Sequence, residues 1–460
     1  MASLPFGRML AATAGDVHPP GYLAVAWAAV HLAGNSALVA RLPSVLFSLA
    51  AFPLALAIGR RLGLSPTAML IGTAVLTVAP WQLYFAQEAR MYAMLQAAYL
   101  AGVWCVLARR WGLLALAVAV MLYTHNYGLL YAATLGGLAL WRELERPEVW
   151  RVGPSLLERV KPRAWGAIIA SFGGGGLLFA PWAVVVVRQM GEQKDAWWQQ
   201  PSTVGSAIAP LYAFLFHDTG LGGLTALGQV LAFGLAAFCL VRLAQRRGVA
   251  PVTLAYLTIL PAALALLAEA VYRPIYLTRA LIGAAVPFYL LCGWALSTLS
   301  RPRRVWAGAV LAPMLAVAVA FYYPRESVMK GFAWPAAGQV AARFEPGDVI
   351  YHVNSGTLFQ WHADYPRQAD PQYMAPPFAG DLGALTPQTV AALGIEQAEL
   401  EALSWQRAWV VWSAGPTAAR AQDDWIAAVL ARHPRHELVS DLAVPWLGNL
   451  TAGGVWLVYR

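Results

Sequence analysis

Long apolar segments separated by short polar connections run through the first 325 residues of the chain. Because a membrane-spanning helix needs about 20 mostly apolar residues, these segments predict about ten spanning helices. The predicted helices cover residues 39–59, 67–86, 90–108, 112–125, 127–141, 166–187, 222–241, 251–271, 279–299 and 304–323. The fourth and fifth are short and meet at residues 124–127, which predicts a helical hairpin with a tight turn.

Arginine clusters occupy every second connection between the predicted helices, and the positive-inside rule therefore places these connections in the cytoplasm. The clusters are Arg60 and Arg61, Arg109 and Arg110, the 142–163 connection, Arg242, Arg246 and Arg247, and Arg301, Arg303 and Arg304. The alternate connections, the N-terminal residues and everything after Tyr323 are then predicted to lie on the outer side of the membrane.

The two ends of the chain differ from the spanning region. Residues 22–32 are apolar but too few to cross a bilayer, so residues 1–38 are predicted to form an outer loop with a juxtamembrane helix. From residue 326 the chain is more polar, and residues 348–353, 408–412 and 454–459 have the composition of strands. We therefore predict an all-α polytopic membrane protein, with a spanning domain at 39–325 and a small extracytoplasmic soluble α/β domain at 326–460.

Composition and charge support a membrane location. Hydrophobic residues make up 59% of the 460 residues and charged residues only 12%, whereas a soluble domain carries about 25% charged residues. The net charge of +9 could suit nucleic acid, but the arginines lie in short clusters between apolar segments. No nucleic-acid partner is therefore expected.

The three cysteines lie inside apolar segments without metal-ligand spacing, and no metal site or cofactor is predicted.

Polar clusters on the predicted outer side are the functional candidates, since ionisable groups beside a membrane core are costly. The first contains Asp16 and His18 ahead of two prolines; a helix cap followed by a helix breaker is the alternative interpretation. The second contains Glu88, which could be a general base, and Arg90, which could bind a phosphate. An ion pair that caps two helix ends is the alternative for this second cluster.

Two further clusters lie on the same predicted side. His125 is flanked at a turn by Thr, Asn and two Tyr residues, a more polar setting than packing requires, although a lone histidine near a helix end is more often structural. Arg273, Tyr276 and Arg279 precede an apolar helix. Arg279 is predicted about one turn inside the outer boundary, where it needs an anionic partner: a lipid-linked phosphate or an acidic side chain such as Glu269.

With these clusters the sequence resembles the GT-C class of polytopic glycosyltransferases. It is most similar to family 39 and a related bacterial branch, which includes protein O-mannosyltransferases of the dolichyl-phosphate-mannose type and lipid A aminoarabinose transferases. The resemblance rests on the order and spacing of several segments over residues 14–325. These segments are residues 16–22 (DVHPPGY), 41–44 (RLPS), 87–92 (QEARMY) and 123–125 (YTH), and Arg279 with Pro287.

The resemblance implies a sugar donor linked to a polyprenyl phosphate. It implies transfer with inversion to an acceptor hydroxyl of a lipid, glycan or protein, on the outer face of a plasma or inner membrane. The candidate catalytic residues are then Asp16, His18 and Glu88. The candidate residues for binding the lipid phosphate and the sugar are Arg90, Tyr92, His125, Arg273, Tyr276 and Arg279.

The N-terminal residues depart from the family's pattern. Family members carry a first spanning helix and an acidic pair, which includes the presumed base, ahead of the His-Pro-Pro segment. Residues 1–15 of this chain contain neither Asp nor Glu. We therefore expect that this first helix and the acidic pair are missing and that the sequence begins inside the first outer loop.

Two other functions are compatible with a polytopic sequence. A transporter or lipid flippase more often shows internal repeats and helices broken near the membrane midplane, and no repeat is evident here. The polar candidates also gather at the outer boundary, as chemistry on a lipid headgroup requires. A non-catalytic, truncated relative that anchors the outer domain is the remaining alternative.

Overall fold

The computed structural model describes residues 1–144, 162–192, 201–217, 222–246, 248–331, 333–367, 369–377, 385–413, 419–444 and 450–460. Most of the predicted 142–163 connection, parts of the 188–221 connection and Arg247 lie outside these residues. The first helices are α1 (Phe6–Ala14), α2 (Gly21–Ala33), α3 (Ala37–Arg61), α4 (Pro66–Val78), α5 (Pro80–Ala86), α6 (Tyr92–Ala108), α7 (Trp111–Thr124) and α8 (Gly128–Leu144).

The second half of the helical region leads into the C-terminal domain. Its elements are α9 (Pro162–Glu192), α10 (Val204–Phe216), α11 (Gly222–Gln245), α12 (Val249–Val271), a 3₁₀ turn (Thr278–Leu281), α13 (Ile282–Ser297), α14 (Arg301–Gly331) and α15 (Ala333–Arg343). Six helices of the described residues are long and apolar enough to span a membrane, and the bent α4–α5 pair gives a seventh. Shorter apolar helices, α6 and α7 among them, pack beside these spans. The chain is thus a multi-pass membrane protein, as predicted.

Two predicted spans are interrupted. The segment predicted as one helix over 67–86 bends by 57° between α4 and α5, because Pro80 cannot donate a backbone hydrogen bond and forces Ala79 into an extended conformation, with ψ of 120°. The predicted helix over 279–299 begins as a 3₁₀ turn and becomes α-helical only at Ile282. Both interruptions lie next to candidate site residues.

Three other helices were missed or were given the wrong limits. The connection predicted over 188–221 contains α10, which Thr203 and Ser206 start with a capping box. The predicted outer loop contains α1, and α14 continues to Gly331 across the predicted boundary between residues 325 and 326.

Arginines at the far ends of α3, α6 and α8 lie away from the candidate site residues. Among them, Arg109 pairs with the buried Glu143.

Helix α13 is the centre of the bundle, since 89% of its span is buried. It crosses α4 at very short range: a Cβ on Gly72 would lie 3.0 Å from the carbonyl oxygen of Tyr289, and one on Gly293 would clash with the carbonyl of Ala68. Small residues allow such close backbone approach, which is the main source of helix association within a bilayer.

The C-terminal domain contains a five-stranded sheet in the order β2-β1-β3-β5-β4. Its strands are β1 (Asp348–His352), β2 (Gln372–Met374), β3 (Arg407–Ser413), β4 (His436–Val444) and β5 (Leu450–Tyr459). Strand β1 pairs in parallel with β2 and β3, and β5 is antiparallel to β3 and β4. The three predicted strands are therefore present, whereas β2 and β4 were not predicted.

Helices cover both faces of this sheet. Alternate strand residues such as Ile350 and Trp409 face α15 and α16 (Ser355–Asp364), and their neighbours, such as Tyr351 and Val410, face α18 (Ala419–Arg432). The chain between β2 and β3 contains the short α17 (Pro387–Leu393) and a 3₁₀ turn (Leu400–Ala402). Burial on both faces explains the nearly continuous apolar character of β1 and β3.

The start of β1 is held by a buried ion pair. Both carboxylate oxygens of Asp348 accept from Arg407, at 2.8 and 2.7 Å, and the indole of Trp409 donates to the same carboxylate at 2.9 Å. Burial alone would raise the pKa of Asp348, but the hydrogen bonds from Arg407, the Glu345 amide and Trp409 lower it overall. A carboxylate with a lowered pKa stabilises the fold at pH values above its unfolded pKa, about 4.

We expect Asp348→Asn to destabilise the C-terminal domain by about 2 kcal/mol, because it leaves the largely buried Arg407 guanidinium with only the exposed Glu345 carboxylate, 3.0 Å away, as counter-ion. In the wild type the contribution of this ion pair to the free energy of unfolding is lost as the pH falls below about 4 and the carboxylate becomes protonated. Hydrogen exchange of the β1 and β3 amides in the full-length protein measures both effects. The exposed pair of Arg343 with Glu437 is the matched control. Equal exchange in Asp348→Asn and Glu437→Gln would contradict this account.

Candidate active site

The segment between α1 and α2 presents the first two candidate catalytic residues. The imidazole Nδ1 of His18 lies 3.2 Å from Oδ2 of Asp16, and 37% of the Asp16 side chain is exposed. Burial tends to raise the pKa of Asp16, but the hydrogen bond and charge of His18, the Val17 amide and the charge of Arg90 lower it overall. Asp16 is therefore an accessible carboxylate, ionised at neutral pH and oriented by an imidazole.

The connection between α5 and α6 brings Glu88 and Arg90 to the same end of the bundle. The phenol of Tyr84 donates to Glu88 at 3.2 Å, and the guanidinium of Arg90 lies 5.6 Å from the centre of the Tyr92 ring. The protein around the guanidinium tends to lower the pKa of Arg90, but the nearby Tyr92, Glu88, Tyr84 and Asp16 raise it overall. Arg90 is itself exposed, so that it remains accessible to an anionic ligand.

The backbone of this connection is anchored from α2 and α3. Ser44 donates to the carbonyl of Arg90 at 3.3 Å, and the hydroxyl of Tyr22 lies 2.8 Å from that of Ser44. Sequence reasoning did not assign a role to either residue. Both lie in segments that carried the family resemblance, residues 16–22 and 41–44. Their position in these segments was the only sequence signal that could have indicated a role in the site.

His125 lies at the turn between α7 and α8, where its tautomer is defined by the backbone. The amide of Tyr127 donates to His125 Nδ1 at 3.0 Å, so Nδ1 is an acceptor without a proton. Burial, followed by the electrostatic influence of His18, Arg279 and Arg90, lowers the pKa of His125 well below its ordinary value. The neutral ring must then carry its proton on Nε2, which is buried and has no protein acceptor among the described residues.

The segment between α12 and α13 carries Arg273, Tyr276 and Arg279, and side chains tie it to its neighbours. The hydroxyl of Tyr127 donates to the carbonyl of Ile275 at 2.6 Å and accepts from the amide of Leu277 at 2.7 Å. Tyr131 forms the same pair of bonds with Ala280 and Gly283. These contacts bring the segment against the His125 turn.

The predicted substrate-binding residues of this segment differ in their surroundings. Tyr276 is buried and its hydroxyl donates to the carbonyl of Ala207 at 2.8 Å, which favours a role in positioning α10. The guanidinium carbon of Arg273 lies 4.8 Å from the centre of the Tyr272 ring. Glu269, considered as a partner for Arg279, accepts from both the amide and the hydroxyl of Ser202 and from the amide of Tyr276. Its carboxylate thus organises the loop backbone.

His125 is where the separate segments meet. Its ring centroid lies 5.6 Å from that of His18, 5.9 Å from that of Tyr92 and 5.5 Å from that of Tyr127. Arg90 and Arg279 are both close enough to influence its charge. Candidates from four distant parts of the sequence therefore form one cluster. It combines an ionised carboxylate, two guanidinium groups and the buried polar atoms of His125 Nε2 and Tyr92 Oη, which have no partner among the described residues.

Over the part of the chain that the structure describes, no three His, Cys, Asp or Glu side chains are grouped so that they could hold a metal ion. The cluster places a carboxylate beside cationic groups, an arrangement that could serve acid–base chemistry on an anionic substrate. A carboxylate can remove a proton from a hydroxyl, and the guanidinium groups can stabilise a phosphate.

Comparison with known proteins identifies the fold. No family model and no curated protein matches the chain. The chain is similar to the crystal structure of ArnT from Cupriavidus metallidurans in the apo state, with 17% identity, a TM-score of 0.53 and coverage of 96% of this chain and 87% of that chain. The same enzyme bound to undecaprenyl phosphate gives 16% identity, a TM-score of 0.51 and coverage of 96% and 88%.

A third structure, an oligosaccharyltransferase from Archaeoglobus fulgidus in complex with zinc and sulfate, gives 11% identity, a TM-score of 0.45 and coverage of 90% of this chain and 61% of that chain. The likeness to ArnT, a GT-C aminoarabinose transferase, extends over nearly the whole chain. This protein therefore has the fold of the GT-C glycosyltransferases, which confirms the resemblance predicted from its sequence.

We expect His125 to stay neutral, with its proton on Nε2, as the pH falls through the ordinary titration range of histidine near 6.5, because burial and neighbouring cations disfavour the imidazolium form. Nitrogen NMR of histidine-labelled protein in lipid nanodiscs reports both the charge and the tautomer. The signal that disappears in His125→Gln identifies the residue. Conversion of that signal to an imidazolium within this range, or to the Nδ1–H tautomer, would refute the assignment.

Proposed function

We propose that this protein is a membrane glycosyltransferase that moves a sugar from a polyprenyl-phosphate donor to an acceptor hydroxyl, with inversion at the anomeric carbon. The observation that carries the proposal is the ionised Asp16 carboxylate, 3.2 Å from the His18 imidazole, within one cluster with Arg90, His125 and Arg279. The GT-C fold supports it, since one of the similar structures holds undecaprenyl phosphate. The likeness of fold alone would support only the class of protein.

Asp16 is the proposed general base. It removes the proton of the acceptor hydroxyl as that oxygen attacks the anomeric carbon, and His18 orients the carboxylate. The bond between the anomeric carbon and the phosphate oxygen breaks, and the electron pair leaves with the polyprenyl phosphate. Glu88 is the second candidate, but the Tyr84 phenol already donates to its carboxylate, and its charge acts on Arg90. We therefore assign Glu88 a supporting role beside that guanidinium.

The leaving phosphate would be bound by Arg90 and Arg279, whose fixed positive charges stabilise the negative charge that develops during transfer. His125 Nε2–H and the Tyr92 hydroxyl supply neutral donors beside them. Both are buried and unsatisfied in the described residues, a costly arrangement that a bound phosphate or sugar would relieve. Arg273 is a further candidate for phosphate binding on the segment that carries Arg279, whereas Tyr276, whose hydroxyl bonds the Ala207 carbonyl, is assigned the positioning of α10.

We further propose that the site and the C-terminal domain lie on the outer side of a plasma or inner membrane. They share one end of the bundle, because α1 contacts α17 directly ahead of Asp16. The arginines that end α3 and α8 lie at the opposite end, as the positive-inside rule requires of the cytoplasmic side. The acceptor is then an extracytoplasmic lipid, glycan or protein hydroxyl.

We expect Asp16→Asn to lower the kcat/KM of sugar transfer about 10²- to 10⁴-fold, because it removes the base without changing the size of the side chain. Glu88→Gln should cost less than about tenfold, as only its effect on Arg90 is lost. Transfer is measured with purified protein in nanodiscs and a panel of radiolabelled undecaprenyl-phosphate sugars. Glu437→Gln, an exposed carboxylate of the C-terminal domain, is the control.

Two results would contradict this proposal. Equal turnover by Asp16→Asn and wild type would exclude Asp16 as the base. Failure of the wild-type protein both to bind undecaprenyl phosphate and to use any donor of the panel would remove the enzyme proposal. Movement of the intact lipid donor across the membrane without hydrolysis or transfer would favour the transporter alternative.

We also expect the activity to persist into the acid range. A base must be ionised to act, and the pKa of Asp16 is lowered by His18 and Arg90 against the opposing effect of burial. The kcat/KM for transfer should therefore decline only below the ordinary range of an aspartate, about pH 4. A decline centred near neutral pH would show instead that a different group acts as the base.

A further inference from the structure

The C-terminal end of α1 is capped by residues from other parts of the chain. The last carbonyls of a helix have no partner within it and need donors from elsewhere. Thr389 donates to the carbonyl of Ala12 at 3.2 Å, and Thr386 donates to that of Gly15 at 2.9 Å. Both threonines belong to the start of α17, in the C-terminal domain.

A membrane helix supplies the remaining donors. The amide of Gln189, near the end of α9, is 3.2 Å from the carbonyl oxygens of both Thr13 and Ala14. On the adjoining surface, Arg188 donates to the side chain of Gln388 at 2.6 Å. The end of α1 is thus held between the C-terminal domain and the spanning bundle.

Gly15 allows this close approach. A Cβ at this position would lie 2.8 Å from Oγ1 of Thr389, 3.0 Å from Oγ1 of Thr386 and 3.1 Å from the backbone nitrogen of Thr389. Its φ of −85° is ordinary for any residue, so the constraint is steric and not conformational. Gly7, in the same helix, has open space around the same position and provides a matched comparison.

Asp16 directly follows this capped end and is fixed from both sides. Thr386 holds the carbonyl of Gly15, and the side-chain amide of Asn126 donates to the carbonyl of Val17 at 2.9 Å. Asn126 belongs to the same turn as His125. The residue before Asp16 is therefore tied to the C-terminal domain, and the residue after it is tied to the turn that carries the buried imidazole.

From this arrangement we infer that Thr386, Thr389 and Gln189 are positioning residues, through which the C-terminal domain and α9 place Asp16 for transfer. The inference rests on the proposed function. None of the three touches Asp16; they act by fixing the backbone on which it is carried. Since displacement of a catalytic group by about 1 Å can cost on the order of 100-fold in rate, such backbone contacts are sufficient to control turnover.

The test compares matched variants of the full-length protein in nanodiscs. Thr386→Val with Thr389→Val removes the two donors while keeping their shape, and Thr386→Ser with Thr389→Ser restores the hydroxyls. Gly15→Ala is expected to displace the same contacts sterically, whereas Gly7→Ala is the control. Three quantities are measured: kcat for transfer from undecaprenyl-phosphate sugars, Kd for undecaprenyl phosphate, and hydrogen exchange of the amides of residues 12–18.

We expect the valine pair and Gly15→Ala to lower kcat by about tenfold or more and to speed exchange at residues 12–18. The Kd for undecaprenyl phosphate should stay within about twofold, because the groups proposed to bind it lie on other segments. The serine pair and Gly7→Ala should behave as wild type. A general loss of folding would instead change phosphate binding and transfer together, and serine would not restore kcat selectively.

Several outcomes would overturn the inference. Normal kcat in the valine pair despite faster exchange would show that the capped end does not position the base. Unchanged exchange in both the valine pair and Gly15→Ala would show that these contacts do not hold the segment. If the wild-type protein transfers no sugar from any donor, the proposed function fails, and the exchange data alone then decide whether the contacts hold residues 12–18.

Discussion

Irregular backbone at the boundary of a membrane must have its N–H and C=O groups satisfied by the protein, because lipid offers neither donors nor acceptors. The candidate site consists largely of such backbone, between α1 and α2, α5 and α6, α7 and α8, and α12 and α13. Side-chain hydroxyls meet this requirement at three of these connections, and the His125 imidazole accepts from the Tyr127 amide at the fourth. Ser44 bonds Arg90, Tyr127 bonds the two ends of residues 275–277, and Thr386 bonds Gly15. The same bonds that satisfy the backbone also determine where the chemical groups are located.

The electrostatic character of the site follows from this placement. Burial lowers the pKa of His125, and Arg279 and Arg90 add to this effect from different segments, so the imidazole stays neutral. Asp16 experiences the opposite influence, because His18 and Arg90 favour its charged form. One small region thus keeps a carboxylate ionised and a nearby histidine uncharged. Neighbouring groups whose environments favour opposite protonation states are typical of acid–base sites.

The sequence was sufficient to predict the fold class and several of the residues that the structure brings together, but only part of their geometry. Segments of about 20 apolar residues and alternating arginine clusters determine where helices can cross, and the ordered polar clusters marked Asp16, Arg90 and His125. The break at Pro80 was visible in the sequence but was not used. Helix α10 was missed because no apolar segment of spanning length marks it, and its start depends on the capping box of Thr203 with Ser206.

Local sequence patterns could not predict the contacts between residues that are far apart in the chain. Nothing in the composition of residues 386–389 indicates that two threonines would cap a helix nearly 380 residues earlier in the chain. The role of Tyr127 was hidden for the same reason, since its partners at Ile275 and Leu277 belong to another connection. Periodicity reports which face of an element is buried, whereas the partner of a single hydroxyl depends on the whole tertiary arrangement.

The distribution of these anchors suggests how the site divides its tasks. A general base has to lie within hydrogen-bonding distance of the hydroxyl it deprotonates, so small displacements of its backbone matter. A guanidinium on a long side chain can follow a phosphate by changing its rotamer, and its charge acts over a longer range. In this structure the residues on both sides of Asp16 have anchored carbonyls, and the ring of His125 is fixed by the Tyr127 amide. Arg90, by contrast, is anchored through its backbone while its side chain stays exposed. Rigid placement is thus concentrated where the proposed proton transfer would require it, and the C-terminal domain holds one side of the Asp16 segment.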